Sequence, residues 1–125
     1  MDYKLITRPI PGKPEEPSKY YATIVRPKKA DIQEIAKRIS DVSPVNELDT
    51  ESVLLAFVRV LPEFLKKGQT IELGDFGRLS VNIRSSGADT EEEFKKDLIK
   101  GNKINFAPGV SVKKEMKNVE YEKVR

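Results

Sequence analysis

The alternation of apolar and polar residues is clearest from Thr70 to Arg84, and it predicts two β-strands joined by a tight turn. After Arg78 every second residue is apolar, which is the pattern of a strand that buries one face. The turn between the strands is Gly74-Asp75-Phe76-Gly77, whose glycines permit a positive φ and a sharp reversal, while Phe76 is placed to enter a core. Taken alone, this stretch is also explained by an ordinary hairpin with a packed phenylalanine.

Two segments with helical periodicity precede the hairpin. Ala30–Val42 carries apolar residues at three- and four-residue spacing and predicts an amphipathic helix. A second helix is predicted to begin with Asp49 or Thr50 as its cap and to end near Lys67, with a kink at Pro62. The apolar stripe of this helix is wide, which favours burial either in the core of a monomer or against a second copy of the chain.

The first 27 residues differ from the rest of the chain. Tyr3–Arg8 and Tyr20–Val25 are β-like, and the segment between them has prolines at positions 9, 11, 14 and 17, which exclude a helix or a central strand. We expect two strands around a stiff loop, paired with each other or lying at an edge of the main sheet. A mobile tail is the alternative, although Tyr20-Tyr21 argues against pure disorder.

The C-terminal third begins with a long polar insertion. Ser85–Asn102 is predicted to be either a short helix with acidic residues in its first turn or an extended arm. Lys103–Phe106 predicts a third strand, and Ala107-Pro108-Gly109 predicts a turn. Val110–Asn118 then predicts a short basic helix, and the alternation in Val119–Val124 predicts a last strand.

Composition narrows the functional classes. The 125 residues fit one domain, and the net charge of +3 is too small to establish an anionic partner. The chain has no cysteine and no histidine, so disulfides, thiol catalysis and the commonest general base and metal ligand are excluded. We therefore expect no enzyme, no metal, no cofactor and no small-molecule substrate, and we interpret Glu91–Glu93 as solvated charge. No apolar stretch approaches a membrane span, so a cytoplasmic protein is expected.

The order helix, helix, strand, strand, insertion, strand, short helix resembles the bacterial histone-like HU proteins and the integration host factor subunits. The resemblance rests on LKKGQTIELGDFGRLSV (65–81) and INFAPGVSVKK (104–114), and on the arm-length spacing between them. It implies an α+β fold with two N-terminal helices, a three-stranded antiparallel sheet with a long β-arm at about 84–103, and a short C-terminal helix, assembled as an intertwined homodimer. The HU-like domain would span 28–118, with an extension at 1–27 that is similar to those of divergent Bacteroides-type proteins and a tail or short strand at 119–125.

The same resemblance implies a nucleoid-associated dimer that binds double-stranded DNA through a basic saddle with little sequence preference. The implied DNA-binding residues are Lys28, Lys29, Arg84, Lys95, Lys96, Lys100, Lys103, Lys113, Lys114 and Lys117. The implied dimer-core residues are Phe57, Leu61, Phe76 and Phe106. Each cation, considered alone, also fits an ordinary solvated surface residue.

The arm departs from the family pattern. Residues 85–103 contain no proline, lack the family's Arg-Asn-Pro run, and sum to a charge of −1. An apolar wedge is what kinks a duplex, and Phe94 and Leu98 are the candidates to replace the missing proline. The alternative function is therefore an HU-fold structural or protein-interaction dimer with weak or no DNA binding.

Overall fold

A computed structural model describes the chain from Met1 to Val124. These residues form three helices and two three-stranded sheets, which confirms the predicted mixed α+β class. The chain divides into a larger unit, Ala30–Lys114, and a smaller unit made of Met1–Lys29 with the segment from Glu115 onward. Within the described residues, no helix combines the length and the apolar character that crossing a bilayer requires.

The larger unit begins with a helical pair, α1 (Ile32–Val42) and α2 (Glu47–Leu65). Ala36 on α1 is fully shielded from solvent, and it is the only apolar side chain of the described residues that is buried to this degree. Thr50 on α2 is 6% exposed, and its hydroxyl donates a 2.7 Å hydrogen bond to the Asn46 carbonyl. The two helices therefore bury very little of their apolar surface within one chain.

The start of α2 differs from the prediction. Asn46, and not Asp49 or Thr50, is the N-cap, because its side-chain oxygen accepts a 2.8 Å hydrogen bond from the Asp49 backbone N–H. The Asn46 side-chain amide also donates to the Asp49 carboxylate at 2.9 Å, which holds Asp49 in the first turn. The prediction was wrong because asparagine caps helices as well as aspartate does, so Asn46 competed with the two predicted candidates, Asp49 and Thr50.

The main sheet has three antiparallel strands in the order β3 (Ile71–Glu72), β4 (Gly77–Ser85) and β5 (Ile99–Pro108). Leu79 pairs with Phe106 and Val81 with Ile104, so one face of the sheet is apolar. The segment between β4 and β5 contains turns and a single 3₁₀ turn at Lys96–Leu98. The insertion is thus a two-stranded ribbon with an irregular tip, which lies between the two predicted alternatives.

Two glycine-containing turns, at Gly77 and Gly109, pack against each other at the base of this sheet. The Gly109 N–H donates to the Phe76 carbonyl at 2.9 Å, and the rings of Phe76 and Phe106 lie 5.0 Å apart. A Cβ atom on Gly109 would collide with the carbonyl of Asp75, and Gly77 has a φ of +136°. The contact joins the two sequence blocks on which the resemblance rests, and α3 (Val110–Lys117) begins directly after it.

The smaller unit contains a second sheet, which is built from β1 (Asp2–Arg8), β2 (Lys19–Ile24) and β6 (Glu122–Lys123). Its strand order is β2-β1-β6. β1 and β2 are antiparallel, whereas β6 is parallel to β1. The two N-terminal strands therefore pair with each other, as one of the expectations held, and the C-terminal strand is shorter than predicted.

Candidate nucleic-acid interface

Three predicted DNA-binding residues share the polar face of the main sheet. Arg84 pairs with Gly101 and the adjacent Ser85 pairs with Ile99, so Lys100 is the extra residue of a β-bulge. At the bulge, Lys100 and Gly101 both lie opposite Arg84. This brings Lys100 to the same face as Arg84 and Lys103. Without the bulge, strict alternation would place Lys100 on the apolar face. We call the set Arg84, Lys100 and Lys103 the basic sheet face.

The side chain of Arg84 lies across the neighbouring strand. A Cβ atom built on Gly101 would lie 3.1 Å from the Nη2 atom of Arg84, so the guanidinium occupies space that a larger residue would fill. Gly101 also has a φ of +151°, which L-residues with side chains rarely adopt. Gly101 thereby keeps the Arg84 guanidinium close to the surface of the ribbon and solvent-exposed.

An ion pair lies on the same face near the base of the sheet. Arg78 Nη1 is 3.8 Å from Glu72 Oε1, and both side chains are mostly exposed. Both residues line an open concavity of about 390 Å³ that Lys113 of α3 also lines. Arg78 shares the alternation of Arg84 and therefore lies on the polar face, although it is not among the predicted DNA-binding residues. Because of the ion pair, Arg78 contributes less free positive charge than Arg84.

The other predicted cations lie elsewhere. Lys114 is exposed on α3, and Lys95 and Lys96 lie at the arm tip, where Lys95 precedes the 3₁₀ turn. The remaining three predicted cations belong to the smaller unit: Lys28, Lys29 and Lys117. The main sheet therefore brings together only part of the predicted set, and the rest depend on the tip, on α3 or on the other unit.

The arm tip is acidic. Residues 86–98 contain five acidic residues against two lysines, and all of these charged side chains are exposed. The Glu93 N–H donates to the Thr90 hydroxyl at 3.2 Å, which orders one turn of this segment. Among the described residues, no three acidic side chains come close enough together to hold a metal ion. The tip is thus a solvated negative surface that opposes the approach of a phosphate backbone.

The predicted dimer-core residues are poorly covered within one chain. Phe57 and Leu61 lie one turn apart on α2, and the side chains of Phe57, Phe76 and Phe106 are 41%, 54% and 45% exposed. The apolar sheet face and the end of α2 border an open cavity of about 560 Å³, lined among others by Leu65 and Ile104. A large apolar surface of the larger unit therefore lacks a partner within the part of the chain that the structure describes.

Comparison with known proteins identifies a matching family and solved structures with a related fold. The family model described as an HU domain fused to wHTH, Ig, or glycine-rich motif matches residues 1–123. A crystal structure from Bacteroides vulgatus ATCC 8482, described as a candidate bacterial DNA-binding protein, is 11% identical in sequence with a TM-score of 0.62. The match covers 98% of this chain and 48% of that one, so this chain spans about half the length of the protein it matches. No functionally curated protein is similar enough in sequence to count as a relative.

Proposed function

The chain belongs to the HU-HIG family, which is defined by an HU domain and not by a catalytic domain, and from this premise we propose that it is a nucleoid-associated protein that binds double-stranded DNA with little sequence preference. It acts as a homodimer through a basic surface built on the HU-like domain, residues 28–118. Residues 1–27 are an extension of this domain and 119–125 its tail. The description of the Bacteroides protein as a candidate DNA-binding protein supports the choice of ligand.

The basic sheet face carries the proposal. Arg84, Lys100 and Lys103 project from one side of an exposed ribbon, where they are able to contact successive phosphates. The acidic residue that shares this side of the described sheet is Glu72, and it is paired with Arg78. An exposed surface whose unpaired charges are all positive attracts a polyanion without reading its sequence. The α3 residues Lys113 and Lys114 add positive charge in the same unit.

The exposed area supports a dimer. The chain exposes 11084 Å², whereas a compact folded monomer of its mass, 14.2 kDa, exposes about 6,800 Å². Treating the two units as separate compact bodies raises that expectation only to roughly 8,000 Å². The surplus of roughly 3,000 Å² per chain is at least as large as the share that one protomer buries in an obligate homodimer, roughly 1,000–2,500 Å².

The nature of the exposed surface points to a second copy as the partner. On α2, Val53, Phe57 and Val58 are between 41% and 65% exposed, and they follow the helical spacing of one apolar stripe. The sheet adds Ile83 and Ile104, which are 66% and 57% exposed. In the proposed dimer, these surfaces of two chains cover each other and complete one hydrophobic core.

The test is fluorescence anisotropy of labelled duplex DNA at 50 and 200 mM salt, with the double variant R84Q/K103Q. Each phosphate contact contributes about −0.9 to the slope of log K against log salt concentration. If a dimer uses all four altered side chains, the slope of the variant is shallower by about 3.6. The matched control is K37Q/R38Q, which removes one lysine and one arginine from the exposed surface of α1 and leaves the slope unchanged.

Two results would contradict the proposal. A slope that is equal in the wild type, R84Q/K103Q and the control shows that the basic sheet face does not contact DNA. Sedimentation of the wild type as a monomer at micromolar concentration shows that the proposed dimer does not form.

A second function is favoured by the acidic tip. Residues 30–114 contain 13 basic and 14 acidic residues, so the larger unit has a net charge of −1. Such a balance fits an HU-fold dimer whose partner is a protein with a basic surface. The absence of any DNA binding at 50 mM salt, together with an intact dimer, would select this alternative.

A further inference from the structure

The smaller unit carries the positive charge of the protein. Its 40 residues, 1–29 and 115–125, contain ten basic and six acidic residues, which gives +4 against −1 for the larger unit. If DNA contacted only the larger unit, the excess positive charge of the smaller unit would contribute nothing to binding by direct contact. The register of the small sheet determines where the cations on its strands lie.

The register brings two cations face to face. Arg8 is directly opposite Lys19 in the antiparallel pair of β1 and β2. Like charges in directly opposed positions destabilise a sheet, because their Cα atoms are only about 4.5–5.5 Å apart. Neither side chain forms an ion pair within the described residues, and the one ion pair of the adjoining loop joins Lys13 to Glu16. This exposed pair is a local cost to folding that a bound anion would remove.

The neighbours on the same face complete a surface for nucleic acid. The next pair on the same face is Ile6 opposite Tyr21, and the one after it on this face is Lys4 opposite Thr23. Tyr21 is 44% exposed, so part of its ring is accessible beside the two cations. Exposed aromatic rings between basic side chains provide stacking for bases or sugars while the cations hold phosphates.

The acidic residues of this face lie at its far end. Asp2 pairs with Glu122, six residues along β1 from Arg8, which is about 20 Å at the rise of a strand. That separation exceeds the Debye length of about 8 Å at physiological salt, so these carboxylates do not cancel the charge at Arg8 and Lys19.

We propose that Arg8, Lys19 and Tyr21 of the small sheet form a second contact surface for a nucleic-acid backbone, separate from the basic sheet face of the larger unit. The choice of DNA as the polyanion rests on the proposed function. The position of the second surface does not rest on the proposed function, because it follows from the register of β1 and β2 and from the charge of their unit.

The experiment compares wild type with R8Q/K19Q in the full chain, using the same anisotropy titrations on single- and double-stranded oligonucleotides. A fourfold drop in salt strengthens binding by about 3.5-fold for each phosphate contact. Loss of two contacts in one chain therefore reduces the salt response by about 12-fold. On single strands each contact contributes about −0.7 to the slope, so the same loss reduces the salt response by about 7-fold. Weaker single-strand binding by Tyr21→Ala at an unchanged salt slope identifies stacking of the ring.

Two controls separate charge from structure. R8K/K19R keeps both charges and is expected to keep the wild-type salt response, whereas K37Q/R38Q removes a matched pair from the larger unit without effect. R8Q/K19Q is also expected to melt at the same temperature as wild type or at a higher one, because it relieves the like-charge pair.

The outcomes distinguish this surface from the proposed interface. An unchanged salt response in R8Q/K19Q overturns the inference while leaving the basic sheet face intact. A reduced response in R8Q/K19Q with none in R84Q/K103Q supports the second surface and contradicts the first. A wild type that binds neither oligonucleotide at 50 mM salt overturns both.

Discussion

Replacing Gly109 by alanine is expected to destabilise the protein strongly, although the change adds a single methyl group. The new Cβ atom would overlap the carbonyl of Asp75, so the two turns at the base of the main sheet have to separate. Separation breaks the 2.9 Å hydrogen bond from the Gly109 N–H to the Phe76 carbonyl and disturbs the contact of Phe76 with Phe106.

The magnitude follows from these contacts. The lost hydrogen bond costs about 1 kcal/mol, the aromatic pair about 0.5–1.5 kcal/mol, and the steric strain of an overpacked site about 1–3 kcal/mol. Separation of the two turns relieves the strain while it breaks the contacts, so the three costs are not additive. We therefore expect the free energy of unfolding to fall by about 2–4 kcal/mol in total. For a chain of this length that lowers Tm by about 8–15 °C.

Gly87 provides the matched control. A Cβ atom on Gly87 would meet no atom within 4 Å, and its φ lies outside the left-handed region. Gly87→Ala is therefore expected to be neutral or to stabilise by about 0.4–1 kcal/mol through the unfolded state. Both variants are compared with wild type by urea and thermal unfolding at one protein concentration, since dimerisation makes stability depend on concentration. A Gly109→Ala variant as stable as Gly87→Ala would refute the proposed packing of the two turns.

Three further predictions concern the helix cap, the dimer and the arm tip. Asn46→Ala is expected to lower the free energy of unfolding by about 1 kcal/mol, because the Asp49 N–H loses its acceptor; urea titration measures it, and no change would show that the cap is dispensable. Phe57→Glu buries a charge in the proposed dimer core and should yield monomers in sedimentation velocity, whereas a persisting dimer would place that interface elsewhere. Neutralising Glu91–Glu93 with glutamine should raise DNA affinity at 50 mM salt in the anisotropy assay, and an unchanged affinity would mean that the tip stays away from the duplex.

The elements of the larger unit were predictable because their patterns are local. Helical spacing in Ala30–Val42 and period-two alternation from Arg78 to Arg84 depend on near neighbours in sequence, and both appear as a helix and a strand. The cap of α2 was missed because Asn46 and Asp49 are both good caps, and only the direction of the observed hydrogen bonds separates them.

The candidate interface was predictable only in part. Arg84 and Lys103 could be assigned to a polar strand face from alternation, but no sequence pattern announces the bulge that turns Lys100 to the same side. A bulge depends on how two distant segments pair, and a shift of one residue in pairing reverses the face of every later side chain. The opposition of Arg8 and Lys19 was hidden for the same reason, since ten residues separate them in sequence.

The amino-acid sequence was enough to predict the α+β class, the helices and main strands, the acidic character of the arm, and the two glycine-containing blocks that mark the family. Those features are encoded by periodicity, composition and short motifs, which act over a few residues. The tertiary structure alone decided that these two blocks meet at Gly77 and Gly109, that the N-terminal strands form their own sheet, and which cations share a face. These depend on register and close packing between segments far apart in the chain, where steric fit and non-local hydrogen bonds set the pairing.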